Sequence, residues 1–286
     1  MFCGTICASS NSEVSSSLPK ATRSAKAGGG EFHSKKMLAA LDKWFPNCLN
    51  GHIAEQLVFE KLIRMGFTAE NTLFADSSCP DEINHDDVEE DITSLFQKRW
   101  GEIFPLAGLA GMPFTGKTGW HAFSSHCPED GNIVILFAPH VGVDAYGKVG
   151  NVRREGQNQV SSACGAAIGA LAACKTDENA GNFSSGYADH QMDCIKHLLA
   201  PHKDEIASAE NEMAALAYKM YELILAFLEE VLHYKWQGPN SKLAIFGGIM
   251  INCDGDGTDM FLPLMFETRF NKGAGKKDLF EETFGH

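Results

Sequence analysis

Residues 133–142, Ile133-Val-Ile-Leu-Phe137 followed by Ala138-Pro139-His140-Val141-Gly142, decide how the rest of the chain is read. The first five are apolar and largely β-branched, the pattern of a strand covered on both faces. Pro139 has no N–H to give to a sheet ladder, so the strand is expected to stop there and leave His140 just past its carboxyl end. In an open α/β sheet that edge is where ligands bind. Downstream, Ser161-Ser-Ala-Cys164-Gly-Ala-Ala167 opens an Ala-rich run to Ala173, expected to be a helix capped by the serines. Cys164 then sits at the helix start, where the dipole and free amides favour thiolate over thiol. Upstream, Asn71-Thr-Leu-Phe-Ala75 reads as a shorter strand breaking into Asp76-Ser-Ser-Cys79-Pro-Asp81-Glu82, a second strand edge bearing a thiol. One imidazole and two thiols form a zinc set of the catalytic type when the fourth position is left to water.

Composition narrows the function classes. The chain has 286 residues, is 44% hydrophobic and carries a net charge of −13. That length and apolar content support a large core. A nucleic-acid binder needs a basic face, and no basic run is present. No segment approaches the ~18 apolar residues of a membrane span, which predicts a soluble chain. Nine cysteines, an odd count scattered over a mid-sized chain, read as buried thiols in a reducing compartment.

Around the site the pattern is α/β. Residues 1–33, rich in Ser, Ala and Gly, read as a flexible leader or transit-peptide remnant, 34–275 as one domain and 276–286 as a charged, frayed tail. Helical spacing is expected over 34–45, from Ile53 to a stop at Gly66, over 86–100, over 190–199 and, as the longest helix, over 207–234. The acidic residues 86–91 read as a solvated first turn, and His85 as surface. The 207–234 face is broad enough either to be deeply buried or to cover a second subunit. Leu243 to Ile251 has the all-apolar character of a central strand, and Phe261 to Phe270 reads as the last one. Asp254 to Asp259 has calcium-loop letters, but Met265 stands where the closing Glu belongs, so a turn is expected. His121, His126 and Cys127 are irregularly spaced and read as loop residues.

One motif competes. Gly111-Met-Pro-Phe-Thr-Gly116-Lys117-Thr118 matches the phosphate-loop pattern letter for letter. Its mechanism needs an apolar strand entering the loop and a helix leaving it. The lead-in carries Pro105 and Gly108, Gly119 follows Thr118 directly, and no acidic Walker-B strand is evident. Nucleotide binding is therefore the third-ranked reading; the local alternative is a loop that shapes a pocket beside the metal.

The segments Cys79-x-Asp81-Glu82, Pro113-Phe-Thr-Gly-Lys-Thr-Gly119, Phe137-Ala-Pro-His140 and Ser162-Ala-Cys164-Gly-Ala166, spread in order over roughly residues 40–265, resemble the limiting-CO2-inducible protein B family of algae, the theta class of carbonic anhydrases. The resemblance implies a β-carbonic-anhydrase-like central sheet flanked by helices, with Zn2+ held by Cys79, His140 and Cys164 at strand carboxyl ends. It implies reversible hydration of CO2 to bicarbonate by zinc-bound hydroxide in a CO2-concentrating role, Asp81 beside the metal, assembly as a homodimer or homologous heteromer, and a plastid location. The alternative is an inactive regulatory or scaffold homologue. Two features depart from the older β class: Ile83 stands where that class has an Arg, and His140 and Cys164 are far apart instead of in His-x-x-Cys. The Arg that pairs with Asp81 must come from elsewhere; Arg154 is the first choice, ahead of Arg153 and Arg99.

Overall fold

The computed structural model describes residues 33–85, 91–154, 156–183, 186–232, 238–254, 258–271 and 275–285, so the 1–33 leader lies outside it except for His33. In chain order the elements are α1 (Lys35–Trp44), β1 (Leu49–Asn50), α2 (Gly51–Arg64), β2 (Thr72–Ser78), α3 (Ile92–Trp100), β3 (Ile103–Pro105), α4 (Gly116–Ser124), β4 (Asn132–Ala138), β5 (His140–Val143), β6 (Asn151–Arg153) and β7 (Val160–Ser162). There follow α5 (Gly165–Thr176), α6 (His190–Leu199), α7 (Lys203–Ala207), α8 (Glu212–Val231), β8 (Lys242–Cys253), β9 (Met260–Phe270), β10 (Lys276–Asp278) and α9 (Phe280–Phe284).

β4 is buried at every position because it lies inside a mixed sheet of order β1-β9-β8-β4-β2-β3, with β5 also on β8 and β10 on β9. β3, β2, β4 and β8 run parallel, and β9 returns antiparallel to β8. Successive β4 side chains point to opposite faces. Ile133, Ile135 and Phe137 join a core with Trp120, Leu171 and Ile224 from α4, α5 and α8. Val134 and Leu136 join a second with Val58, Leu62 and Phe96 from α2 and α3. Helices on both sides are why the run carries no polar alternation.

Pro139 interrupts this strand for one residue only. β4 ends at Ala138, but the Pro139 carbonyl still accepts from Met250 N at 3.0 Å, and β5 pairs at once with Met250–Cys253 of β8. His140 therefore lies inside the sheet's extension and is buried, instead of standing on an open rim as the sequence suggested. The cause is the length of β8, whose twelve residues outrun β4. A β-bulge at Leu264 of β9, facing Gly247 and Gly248, shifts the β8–β9 register close to this point. Both glycines are needed there: a Cβ on Gly247 would stand 2.1 Å from the Phe137 ring, and one on Gly248 2.2 Å from the Leu262 carbonyl oxygen.

Other expectations shift. Ser161 and Ser162 do not cap α5; they lie in β7, which pairs antiparallel with β6, and Cys164 itself occupies the cap position. The long helix begins at Glu212 because Asn211 caps it, accepting from Ala214 N at 3.0 Å, while Lys203–Ala207 forms its own short helix. α3 begins at Ile92, capped by Asp91; residues 86–90 of the acidic run lie outside the described residues, and His85 is exposed. The carboxyl-terminal segment is not frayed: β10 pairs with β9, and Leu279 and Phe284 are buried in the second core. Among the described residues the cysteines are free thiols, and no helix is long and apolar enough to cross a membrane.

Candidate metal centre

Three chain segments meet at the carboxyl ends of β2 and β4. Cys79 follows the last residue of β2, His140 opens β5 and Cys164 precedes α5; all three are buried, and their ligand atoms lie within 4.8 Å of one another. The two sulfurs are 3.8 Å apart. Two thiolates about 2.3 Å from one tetrahedral zinc would be separated by about that distance. On the imidazole, Nδ1 is 2.8 Å from Asn252 Oδ1, so it carries the proton, and Nε2 is left with a free lone pair. That Nε2 is a buried polar atom without a hydrogen-bond partner. A buried polar atom is normally satisfied, so an orphan beside two sulfurs fits a metal ion, and these residues suit zinc by ligand type and spacing. Among the described residues no other His, Cys, Asp or Glu group has such a spacing, and His121 and His126 are exposed.

The sulfurs do not share charge as the sequence suggested. The hydrogen bond from Cys164, aided by His140 against the cost of burial, brings the Cys79 thiol down to about 4. The same bond and burial push Cys164 well up, although the Ala167 and Ala166 amides pull the other way. In the metal-free chain the thiolate thus resides on Cys79; the helix start alone does not ionise Cys164, because a second thiolate beside the first is costly. Burial opposes a charged His140, but the Cys79 sulfur, the Asn252 oxygen and the Asp81 carboxylate together more than offset it and raise the imidazole.

Asp81 caps the 3-10 turn Glu82–Asn84, and its Oδ2 stands 3.7 Å from His140 Nε2. Arg154 reaches it from the loop between β6 and β7: Nη2 donates to Asp81 Oδ1 at 2.7 Å and Oδ2 at 2.9 Å, and Nε donates to Glu82 Oε1 at 2.8 Å. Nη1 donates to Ser161 Oγ, holding the guanidinium in plane. Burial alone would raise the Asp81 carboxyl, but Arg154 and His140 hold it below its ordinary range. The other two arginines are elsewhere: Arg99 pairs with Glu55, and the Arg153 backbone N–H binds Asp254.

Beside His140 and Cys164 lies a cavity of about 10 Å³ walled by Ala110, Ala163, Ala167, Ile168, Met213 and Met220. Ala110 comes from the loop that carries the phosphate-binding letters. A helix does leave that loop at Gly116, contrary to expectation. The amides of Gly111, Met112, Phe114, Thr115 and Gly116, however, all donate to nearby backbone carbonyls, Pro113 has none, and Lys117 and Thr118 are exposed. A phosphate cradle needs those amides free.

A family model, limiting CO2-inducible proteins B/C beta carbonic anhydrases, matches residues 51–270. The chain belongs to this family. Among solved structures, PtLCIB4, described as a homologue of the limiting CO2-inducible protein LCIB, is 29% identical with a TM-score of 0.75, covering 84% of this chain and 98% of its own. LCIB itself, 20% identical over 83% and 96% of the two chains, has a TM-score of 0.64 and so shares the fold. Curated proteins gave no match. Membership accounts for the α/β sheet flanked by helices. The residue sequence reading missed is Asn252; its signal was a polar side chain at the end of an otherwise apolar strand, which burial obliges to find a partner.

Proposed function

We propose that the chain catalyses the reversible hydration of CO2 to bicarbonate as a theta-class carbonic anhydrase, with zinc held by Cys79, His140 Nε2 and Cys164. The observation that carries this reading is the orphaned Nε2 of His140, facing two sulfurs 3.8 Å apart and an arginine-held carboxylate 3.7 Å away. Zinc, when bound, acidifies water and so supplies a nucleophile at moderate pH. Asp81, kept ionised by Arg154, accepts a hydrogen bond from the attacking oxygen and aims its lone pair at the CO2 carbon. The same ion pair keeps the carboxylate from turning toward the metal and closing the site. The apolar wall suits a neutral, nonpolar substrate.

We place this activity in a CO2-concentrating role in a plastid, following the resemblance to algal proteins, with a homodimer or homologous heteromer as the working unit. Partly exposed Leu223 and Phe227, one turn apart on α8, supply an apolar strip for such a contact. Metal analysis together with isotope exchange between CO2 and water tests the central claim on the wild type and on Cys164→Ala. Stoichiometric zinc with exchange in the wild type, both lost in the variant, is expected. Zinc without exchange in the wild type would make the chain a regulatory or scaffold homologue instead.

A further inference from the structure

Behind His140, away from the two sulfurs, lies a chain of buried amides that the catalytic reading does not use. Asn252 Oδ1 takes the Nδ1 proton of His140; Asn252 Nδ2 donates to Asp259 Oδ2 at 2.8 Å and to Asn84 Oδ1 at 3.2 Å. Asn84 Nδ2 donates in turn to the Cys79 carbonyl at 3.0 Å, and Asp259 Oδ1 accepts from Cys253 N at 2.8 Å. Asn252 and Asn84 are 1% and 2% exposed, so their orientations are set chiefly by these protein partners. Each amide can act in one sense only. Asp259, an acceptor, fixes Asn252 with its NH2 toward Asp259 and Asn84 and its oxygen toward the imidazole, and that oxygen fixes the tautomer.

We infer that Asn252 is the positioning residue of this metal centre: it fixes His140 as an Nε2 ligand and, through Asn84, ties the ring to the backbone of Cys79, so that two ligands from different strands move as one. The inference rests on the metal reading above. It identifies the hydrogen bond behind the ligand as part of the centre, where removing such a partner weakens metal affinity about 10- to 100-fold.

The test compares two kinds of change at one position. Asn252→Leu keeps size but removes the acceptor. Asn252→Asp combined with Asp259→Asn keeps an acceptor for Nδ1 and exchanges donor and acceptor across the bond to residue 259, while the Asn84 amide, which loses its donor, turns over to donate to the new carboxylate. Zinc affinity is measured by competition with a chromogenic chelator, and site geometry by the visible spectrum of the Co2+-substituted protein. Asn252→Leu should bind zinc 10- to 100-fold more weakly with altered Co2+ bands, while the double variant stays within about threefold of wild type. Equal losses in both, or none in Asn252→Leu, would reduce Asn252 to a packing residue. If Asn252→Leu fails to fold, the nitrogen spectrum of 15N-histidine-labelled, zinc-loaded wild type decides the matter: metal on Nε2 with a protonated Nδ1 is expected, and metal on Nδ1 overturns the inference. Wild type that binds zinc but lacks CO2 exchange would remove the proposed activity and leave this inference standing.

Discussion

At the scale of single residues, the roles of Asp81 and Arg154 can be separated. Asp81→Asn keeps the shape but cannot accept a hydrogen bond in the same sense, so zinc content should persist while hydration falls about a hundredfold or more, read by isotope exchange and metal analysis. Retained turnover would remove Asp81 from the reaction. Arg154→Ala leaves the carboxylate without its partner, and the loss should include anomalous Co2+ spectra as Asp81 turns toward the ion. Two thiolates leave a zinc centre formally neutral, unlike a three-histidine site, so activity should rise from pH 6 toward pH 9; a rate already maximal below neutrality contradicts the ligand set. Cys79, His140 and Cys164 were legible because each residue type suits few other uses at a strand edge or helix start, whereas Asp81 came from the family resemblance. Arg154 was the first choice because it lies along the chain between the His and Cys ligands, with Arg153 and Arg99 left as alternatives. Asn252 was not found, since an asparagine one residue past an apolar run reads equally well as the start of a turn.

At the scale of elements, β2 carries an unused titratable group. Asp76 is fully buried; desolvation raises its carboxyl from 3.8 to about 6, although the Ser78 hydroxyl and amide partly offset this. A folded-state pKa above the unfolded one stabilises the fold while the group is protonated. That contribution is complete below pH 3.8 and is lost as pH climbs through about 6, a loss of roughly 3 kcal/mol. Asp76→Asn, which mimics the protonated form, should flatten the slope of unfolding free energy between pH 4 and 7 and raise stability at pH 8, as urea titrations would show. An unchanged slope would mean that Asp76 is not the group responsible. β4, an unbroken apolar run, and α6, with its helical spacing, were readable because one rule governed each. The second strand of the β6–β7 hairpin was not, because three polar-flanked residues are set by pairing with β6, which leaves no local pattern.

At the scale of the whole molecule, the carboxyl-terminal segment is a structural part of the sheet. Leu279 and Phe284 are buried against Phe246 and Phe266, so truncation after residue 275 should cost about 4 kcal/mol and lower the urea midpoint. A truncated chain of unaltered stability would make the tail dispensable. Its burial was hidden because Lys276-Lys277-Asp278 looks solvated, and only the pairing with β9 reveals where Leu279 lands. The metal site has a consequence at the same scale. Cys79 and Cys164 are 85 positions apart along the backbone, with His140 between them. An ion gripping all three works as a removable staple across that span: at a free concentration a thousand times its dissociation constant it adds about 4 kcal/mol to the native state. Chelation should therefore lower the melting temperature as well as stop turnover, and zinc supply would govern how long the folded chain survives as well as how fast it works.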